Sequence, residues 1–279
     1  MSYRKRDGRV VLSIPHCSAF IPDDIYRSVF LPVIDTTDDW EQMTDIKKSL
    51  IVNHEKYMMT DWYTDELFDG GEYSCITAEV SRLVCDIERF TENEDMEAVG
   101  MGFCYTSSFD LTPLKIVSDE HKAFVYEHYY KPYHDKLEKL VDNALEKNGE
   151  CVIVDCHSYF PIPLKYEKRN PLSAGKYRAQ VCIGTDDYHT SPILEAFTED
   201  FFTQFGYTVS LNTPFSGTMV PMKYYHRDRR VKSIMIELRR DLYMKGLTKE
   251  KNERFDFLTK LLPYYEKSLD EKYSPVWKY

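Results

Sequence analysis

Short, almost unbroken apolar runs alternate with longer amphipathic segments along much of the chain. Strands of a parallel sheet are buried on both faces and carry such runs, whereas the covering helices are apolar on one side only. The runs predict strands at Val10–Ile14, Val80–Ile87, Cys151–Asp155, Gln180–Gly184, Thr208–Leu211 and Ser233–Leu238. The amphipathic segments predict helices at His121–Lys147, Ser191–Phe205 and Lys249–Lys272. This order favours an α/β fold, a three-layer sandwich whose central mixed, mainly parallel sheet is covered by helices on both faces.

The composition is typical of a folded, compact protein. Its 279 residues, of which 43% are hydrophobic, are enough for a single α/β domain spanning 1–279. The formal net charge of −10 and the lack of a basic block argue against a nucleic-acid partner. No run approaches the ~18 apolar residues of a membrane span, and no export signal is visible. We therefore expect a cytoplasmic protein without a membrane partner; the sequence leaves its oligomeric state open.

Polar groups that bind metals or move protons stand at the ends of three predicted strands. They are His16, the pair Asp155 and His157, and Glu237. Ligands gather at the carboxyl ends of parallel strands, so these three ends can meet in one cleft. Two imidazoles and a carboxylate form the ligand set of a catalytic zinc ion, which keeps one position open for water. Asp155 can orient an imidazole by accepting its ring proton. The alternative for either histidine is an ordinary hydrogen-bonded structural role.

Glu237 is informative because the rest of its strand is apolar. A carboxylate in such a strand needs a cation, a metal or a hydrogen-bond donor, or else it stays protonated. One explanation is a structural ion pair with Arg239 or Arg240. A general base beside an activated water fits the position better.

Charged residues interrupt the apolar run near residue 80. Arg82 and Arg89 could hold a substrate carboxylate through planar, two-point contacts. Buried guanidinium groups are normally partnered, so internal ion pairs with Asp86 and Glu88 are the alternative.

Two acidic residues could complete a metal shell. Asp61 and Asp65 are four positions apart and would share one face if their segment is helical. Either carboxylate could instead only favour a helix N-terminus through the helix dipole. Cys17 lies next to His16 and is a weaker candidate, as a nucleophile, because an activated water removes the need for one.

Eight short motifs follow one another between about residues 10 and 245. They are Ile14-Pro15-His16-Cys17-Ser18, Asp61-Trp62, Ser81-Arg82-Leu83-Val84, Asp86-Ile87-Glu88-Arg89, Tyr130-Lys131-Pro132-Tyr133-His134, Asp155-Cys156-His157-Ser158, Asn212-Thr213-Pro214-Phe215-Ser216-Gly217 and Ile236-Glu237-Leu238-Arg239. Their order resembles that of the N-formylglutamate amidohydrolase family. The resemblance implies a fold similar to zinc carboxypeptidases and aspartoacylase-like deacylases, with one zinc ion per chain.

The resemblance also implies roles for individual residues. His16 and His157 would be metal ligands, and Glu237 would be the carboxylate that activates water. Arg89 would hold the substrate carboxylate, with Arg82 as a second candidate.

The sequence departs from the pattern of these families in ways that bear on the metal and the substrate. Related deacylases carry a third ligand, a Glu, three residues after the first histidine, where this chain has Ala19. We therefore favour Asp61 as the third ligand, with Asp65 in reserve. Glu88 stands where the family usually has Asn before the substrate-binding arginine.

The implied reaction is hydrolysis of an N-acyl bond, expected to be N-formyl, on glutamate or a similar acidic amino acid, as in histidine degradation. The segment Phe160–Tyr177, rich in Pro, Lys, Arg and Asn, is expected to be a surface loop that forms one wall of the site. One alternative is a metallopeptidase or cell-wall amidase on the same fold. The other is a non-catalytic protein that binds a carboxylated ligand.

Overall fold

The computed structural model describes residues 1–27, 45–167 and 178–272, and it is built around a seven-stranded mixed sheet. The strand order is β1-β3-β2-β4-β7-β5-β6, in which β1 is antiparallel to β3, β5 is antiparallel to β7, and the other neighbours are parallel. The strands are β1 (Tyr3–Arg4), β2 (Val10–Ile14), β3 (Ser74–Thr77), β4 (Cys151–Tyr159), β5 (Val181–Gly184), β6 (Val209–Leu211) and β7 (Val231–Arg239).

The helices that the structure describes are α1 (Asp23–Ile25), α2 (Asp45–Met59), α3 (Thr64–Phe68), α4 (Asp119–Val125), α5 (Lys131–Asn148), α6 (Pro192–Gln204) and α7 (Phe255–Asp270). A π-helical segment, Tyr126–Tyr130, joins α4 to α5, and short 3-10 helices occupy Asp95–Val99 and Arg240–Leu242. None of these helices is both long enough and apolar enough to cross a membrane.

Alternation along the strands gives each face of the sheet its own hydrophobic core. On one face, Leu137 and Val141 of α5 join Val11 of β2 and Ile153 of β4. The opposite core contains Leu12 of β2, Val154 of β4 and Ile236 of β7 together with Leu67 of α3, Phe202 of α6 and Leu262 of α7. Each such buried side chain stabilises the fold by about 1.5–3 kcal/mol before entropy is counted. The predicted three-layer α/β sandwich is confirmed.

The predicted strand at Val80–Ile87 is wrong, since this segment forms successive turns. Val84 N and Cys85 N both donate to the carbonyl of Ser81, so these amides close a turn and join no ladder. Leu83 is nevertheless fully buried. An apolar run indicates that a segment is buried, but it does not specify whether the backbone forms a strand or turns. On the side of β2 away from β4, the neighbouring strand is β3, whose four residues carry only a weak sequence signal.

Other predicted elements agree with the structure to within a few residues. The helix predicted at His121–Lys147 corresponds to α4, the π-helical segment and α5, and it ends at Gly149 with φ of 74°. Pro263 lies inside α7, which continues through it without a break. All seven cysteines fall within the described ranges and are free thiols. A single domain across 1–279 stays a prediction.

Candidate active site

Strand register brings two of the candidate residues side by side. In the parallel pairing of β4 with β7, His157 lies opposite Glu237. Since Cys156 and Ile236 point into the core beneath α7, His157 and Glu237 point to the other face of the sheet. β4 is longer than predicted, so His157 lies within the strand, whereas His16 follows the end of β2. The cleft therefore opens where β2, β4 and β7 approach their carboxyl ends, as expected.

Three buried side chains converge at this edge. The potential ligand atoms of His16, Asp61 and His157 all lie within 4.8 Å of one another. Asp61 Oδ2 is 3.2 Å from His157 Nδ1 and 3.8 Å from His16 Nδ1. The two imidazole centroids are 5.0 Å apart. The structure thus unites the two histidines and the carboxylate that the sequence favoured as a metal shell.

The position of Asp61 differs from the helical expectation. Helix α3 begins at Thr64, so Asp61 precedes it and the idea that Asp61 and Asp65 share a helix face is wrong. Asp61 N donates to His16 O at 2.9 Å, which ties the two backbones together. Arg240 donates to Asp61 Oδ1 at 3.2 Å, while Oδ2 faces the imidazoles and accepts from Ser158 N at 3.2 Å. Asp65 is exposed on α3 and belongs to none of the potential metal-binding groups among the described residues.

Carboxylates also line the opposite, Nε2 edge of both imidazoles. His16 Nε2 lies 2.9 Å from Asp86 Oδ1, and His157 Nε2 lies 3.2 Å from Asp155 Oδ1. Glu88 Oε1 is 3.0 Å from His157 Nε2. A carboxylate accepts a hydrogen bond from Nε2–H, so in the neutral rings these contacts favour the tautomer whose Nδ1 lone pair faces Asp61.

The dense charge around the imidazoles shifts their pKa values. Burial opposes charge on His157, but Glu88 and Asp155 outweigh it and raise the pKa of His157 well above its usual value. Burial and the nearby Arg82 instead lower the pKa of His16. Burial alone would raise the pKa of Asp61, yet its hydrogen bond with His157 and the charge of His16 lower this pKa to about 2.

Glu237 has the properties of a carboxylate without a structural partner. Its Oε2 is buried and has no hydrogen-bond partner. Burial raises the pKa of Glu237 to about 8, against the opposing charge of His157. Arg240, suggested by the sequence as a possible partner, pairs with Asp61, and Arg239 pairs with Asp241. The group is therefore placed to exchange a proton with a molecule in the cleft.

The two candidate arginines differ in how firmly they are held. Arg82 places Nε and an Nη atom at 3.2 and 2.7 Å from Asp86 Oδ2, and Tyr105 lies 3.1 Å from the same Nε. Its internal ion pair, the alternative raised by the sequence, is present. Arg89 Nε is 3.7 Å from that carboxylate and has no hydrogen-bond partner. Arg89 is also more exposed, at 28% against 12% for the side chain of Arg82. Arg89 is thus the freer cation for a substrate.

A cavity of about 630 Å³ connects these groups. Its lining includes His16, Asp61, Arg82, Arg89, His157 and Glu237. Phe160, Leu164 and Glu167 of the predicted Phe160–Tyr177 loop form part of one wall, and residues 168–177 lie outside the described ranges. Cys17 is not among the lining residues, and burial raises the pKa of its thiol to about 12. A thiolate nucleophile at this position is therefore disfavoured.

Residues 8–244 match the N-formylglutamate amidohydrolase family. The chain belongs to this family. It is 24% identical over 210 residues to the N-formylglutamate deformylase of Pseudomonas putida, an alignment that covers 71% of this chain and 76% of that protein. Among solved structures, the N-formylglutamate amidohydrolase of Ralstonia eutropha JMP134 superposes with a TM-score of 0.77 at 20% identity, covering 96% of this chain and 94% of that one. A protein of Agrobacterium tumefaciens superposes with a TM-score of 0.56 at 20% identity, covering 94% and 92% of the two chains.

The sequence alone does not give the correct contacts of three residues at the candidate site. The sequence indicates Asp86 and Glu88 as ion-pair partners of arginines, and the structure shows that both also contact the imidazoles. The sequence suggests Arg240 as a partner of Glu237, but in the structure Arg240 pairs with Asp61. The interruption of an apolar run by Asp86 and Glu88 was the available signal, but their geometry depends on turns that no sequence periodicity announces.

Proposed function

We propose that this chain is a zinc-dependent amidohydrolase that removes an N-formyl, or similarly small N-acyl, group from glutamate or a similar acidic amino acid. One observation carries the proposal: His16, Asp61 and His157 converge within 4.8 Å beside Glu237, in a chain of the N-formylglutamate amidohydrolase family. The substrate would be a small acidic molecule held in the 630 Å³ cavity.

The residues present fit a zinc ion. His16 Nδ1 is buried and has no hydrogen-bond partner, which is costly unless a cation or a donor completes it. Two imidazoles with one carboxylate match the donor set of catalytic zinc, and the carboxylates at Nε2 match the outer contacts that such rings need. His16, Asp61 and His157 would hold the ion. When bound, zinc supplies Lewis-acid polarisation of a carbonyl oxygen and lowers the pKa of water.

Glu237 would act as the general base and then as the general acid. Its unpartnered Oε2 lies in the cavity that His16 and His157 line, so it can take a proton from water as the water attacks the acyl carbon. The same carboxyl group would return this proton to the amide nitrogen as the C–N bond breaks. Formate and the free amino acid are the products when the acyl group is formyl.

Arg89 would bind the substrate carboxylate and orient the amide. Its guanidinium lines the cavity, and a two-point contact with a carboxylate fixes direction as well as distance. Arg82 would contribute mainly by holding Asp86, to which it is already bound through two nitrogens. Holding the substrate in one orientation converts binding energy into rate.

Formate release from N-formyl-L-glutamate by wild-type protein and Glu237→Gln tests the proposal. General-base catalysis contributes about 10²–10⁴ in rate, so Glu237→Gln is expected to lower kcat by this factor and to keep its zinc. The exposed Glu92 gives a matched control, since Glu92→Gln removes the same charge outside the cavity lining. N-acetyl-glutamate and short peptides in parallel assays separate deacylase from peptidase activity. Near-normal turnover by Glu237→Gln would refute the assigned base.

A further inference from the structure

Glu88 is in contact with both imidazoles of the proposed zinc site. Its Oε1 lies 3.0 Å from His157 Nε2, and its Oε2 lies 3.5 Å from His16 Nε2. The side chain is 17% exposed, so the contact is largely shielded from water. One carboxylate thus spans the Nε2 edges of two rings that belong to different parts of the chain.

The neighbouring carboxylates do not span the rings in this way. Asp86 Oδ1 contacts His16 Nε2, while Asp86 Oδ2 accepts hydrogen bonds from Arg82 and Tyr105. Asp155 Oδ1 contacts His157 Nε2, while Asp155 Oδ2 accepts a hydrogen bond from Met219 N at 2.8 Å. Each therefore fixes one imidazole to the surrounding protein. Only Glu88, among these three, directs both oxygens to the rings.

The backbone on either side of Glu88 is fixed by the helix that follows. Tyr130 donates its hydroxyl to Arg89 O at 2.9 Å, and His134 Nε2 lies 2.8 Å from Ile87 O. Glu88 N donates to Asp86 Oδ1 at 3.2 Å. These contacts hold the turn, so the reach of the Glu88 side chain is set before any metal binds. They also give Tyr130 and His134 a role that the proposed reaction alone does not assign.

We propose that Glu88 is a positioning residue that bridges His16 and His157 and thereby raises the affinity of the site for a divalent cation. This inference rests on the proposed function, because it assumes that the Nδ1 edges of these rings hold zinc. Such a bridge fixes the orientation of the two imidazoles relative to each other. Its negative charge makes both rings more basic and therefore stronger ligands for the metal. Glu88 differs from Asp86 and Asp155 in acting on both ligands at once.

Zinc dissociation constants measured by chelator competition test the bridge. Loss of an outer carboxylate contact typically weakens metal binding by about 10–100-fold, which is the loss expected for Glu88→Ala. Glu88→Asp keeps the charge but is one methylene shorter, so it cannot reach both rings. Glu88→Gln keeps the length but offers one acceptor oxygen in place of two. Each of these conservative variants is expected to weaken zinc binding by about tenfold, whereas Glu92→Gln is expected to match wild type.

The pattern among the variants distinguishes a bridge from a simple charge effect. If Glu88→Asp binds zinc as wild type does, the bridge is refuted, whatever Glu88→Gln does. Zinc affinity within twofold of wild type in Glu88→Gln would also overturn the proposal, because one acceptor oxygen would then serve as well as two. Thermal melting checks that each variant is folded, and the conservative pair keeps the test decisive if Glu88→Ala does not fold.

A second measurement reads the contact without activity or metal. In metal-free protein labelled with ¹⁵N-histidine, the Nε2–H protons of both His16 and His157 are expected to move upfield in Glu88→Gln and to be unchanged in Glu92→Gln. A shift of only one ring, or of neither, would contradict the bridge. Failure of wild-type protein to bind zinc would instead overturn the proposed function and the affinity effect, while the proton shifts would still report whether Glu88 contacts both rings.

Discussion

Glu266 of α7 provides a quantitative test of the packing on the face of the sheet opposite the cleft. Its side chain is fully buried, and neither carboxyl oxygen has a hydrogen-bond partner. Burial, reinforced by the charge of Asp69 and opposed by Arg4, raises the pKa of Glu266 well above its usual value. The folded protein therefore keeps a proton that the unfolded chain releases at mildly acidic pH. We predict that Glu266→Gln removes this source of pH dependence.

Proton linkage gives the direction and the size of the change in the free energy of unfolding with pH that Glu266 causes. Above the unfolded pKa the unfolded chain binds fewer protons at this position than the folded protein, so the free energy of unfolding falls as pH rises towards the folded pKa. The slope is about 1.4 kcal/mol per pH unit. Between about pH 5.5 and 6.5 the free energy of unfolding of wild-type protein should therefore fall by about 1.4 kcal/mol more than that of Glu266→Gln. The fixed cost of burying an amide is the same at both pH values and cancels.

Urea unfolding at the two pH values, followed by circular dichroism, measures this difference. Both proteins are treated with a chelator so that metal binding adds no pH dependence. Glu253→Gln is the matched control because Glu253 is an exposed glutamate that lies shortly before α7. Parallel pH dependence in wild type and Glu266→Gln would refute the reasoning, since it would mean that the Glu266 carboxylate is stabilised in the folded protein.

Two further predictions concern the cavity and its surroundings. Arg89→Lys should raise KM for N-formyl-L-glutamate about 10–100-fold with a smaller change in kcat, because an ammonium group cannot reproduce the two-point contact with a carboxylate. Steady-state kinetics measure both constants. An unchanged KM would show that another group binds the substrate carboxylate. Cys17→Ser should retain wild-type kcat, and loss of turnover would reopen a nucleophilic role for Cys17. Wild-type protein should resist inactivation through Cys17 by alkylating reagents, because the raised pKa of Cys17, about 12, keeps the thiol protonated at neutral pH.

The strands of the sheet were predictable where an apolar run in the sequence coincides with an extended backbone that is buried on both faces. The apolar runs within β2, β4 and β7 have side chains packed on both faces, so their sequence records the strand directly. The segment Val80–Ile87 also contains buried apolar residues, but it contacts the core from turns, where its amides bond locally. β3 is a strand that the sequence does not indicate, because four residues are too few for a clear pattern. It is recognised only by its pairing with β2 in the sheet.

The site was predictable where a polar residue interrupts an apolar environment. His16, His157 and Glu237 stand out in this way, and the structure brings all three to one cavity. The choice between Asp61 and Asp65 depended on where α3 begins, which the sequence does not specify.

The partners of these groups were harder to predict, because they are set by contacts between distant segments. Arg240 and Asp61 are 179 positions apart, and Glu88 and His157 are 69 apart. Such pairs follow from the order of strands in the sheet and from the turns between them. Local periodicity carries no information about them.

Zinc content per chain, measured by elemental analysis of the purified protein and its variants, tests the central claim most directly. Wild-type protein and Asp65→Asn are expected to hold one zinc ion per chain, and Asp61→Asn is expected to lose it, with formate release from N-formyl-L-glutamate falling in step. Zinc retained in full by Asp61→Asn and lost from Asp65→Asn would contradict the proposed ligand set. Full formate release from wild-type protein stripped of all metal would contradict the metal-dependent mechanism itself.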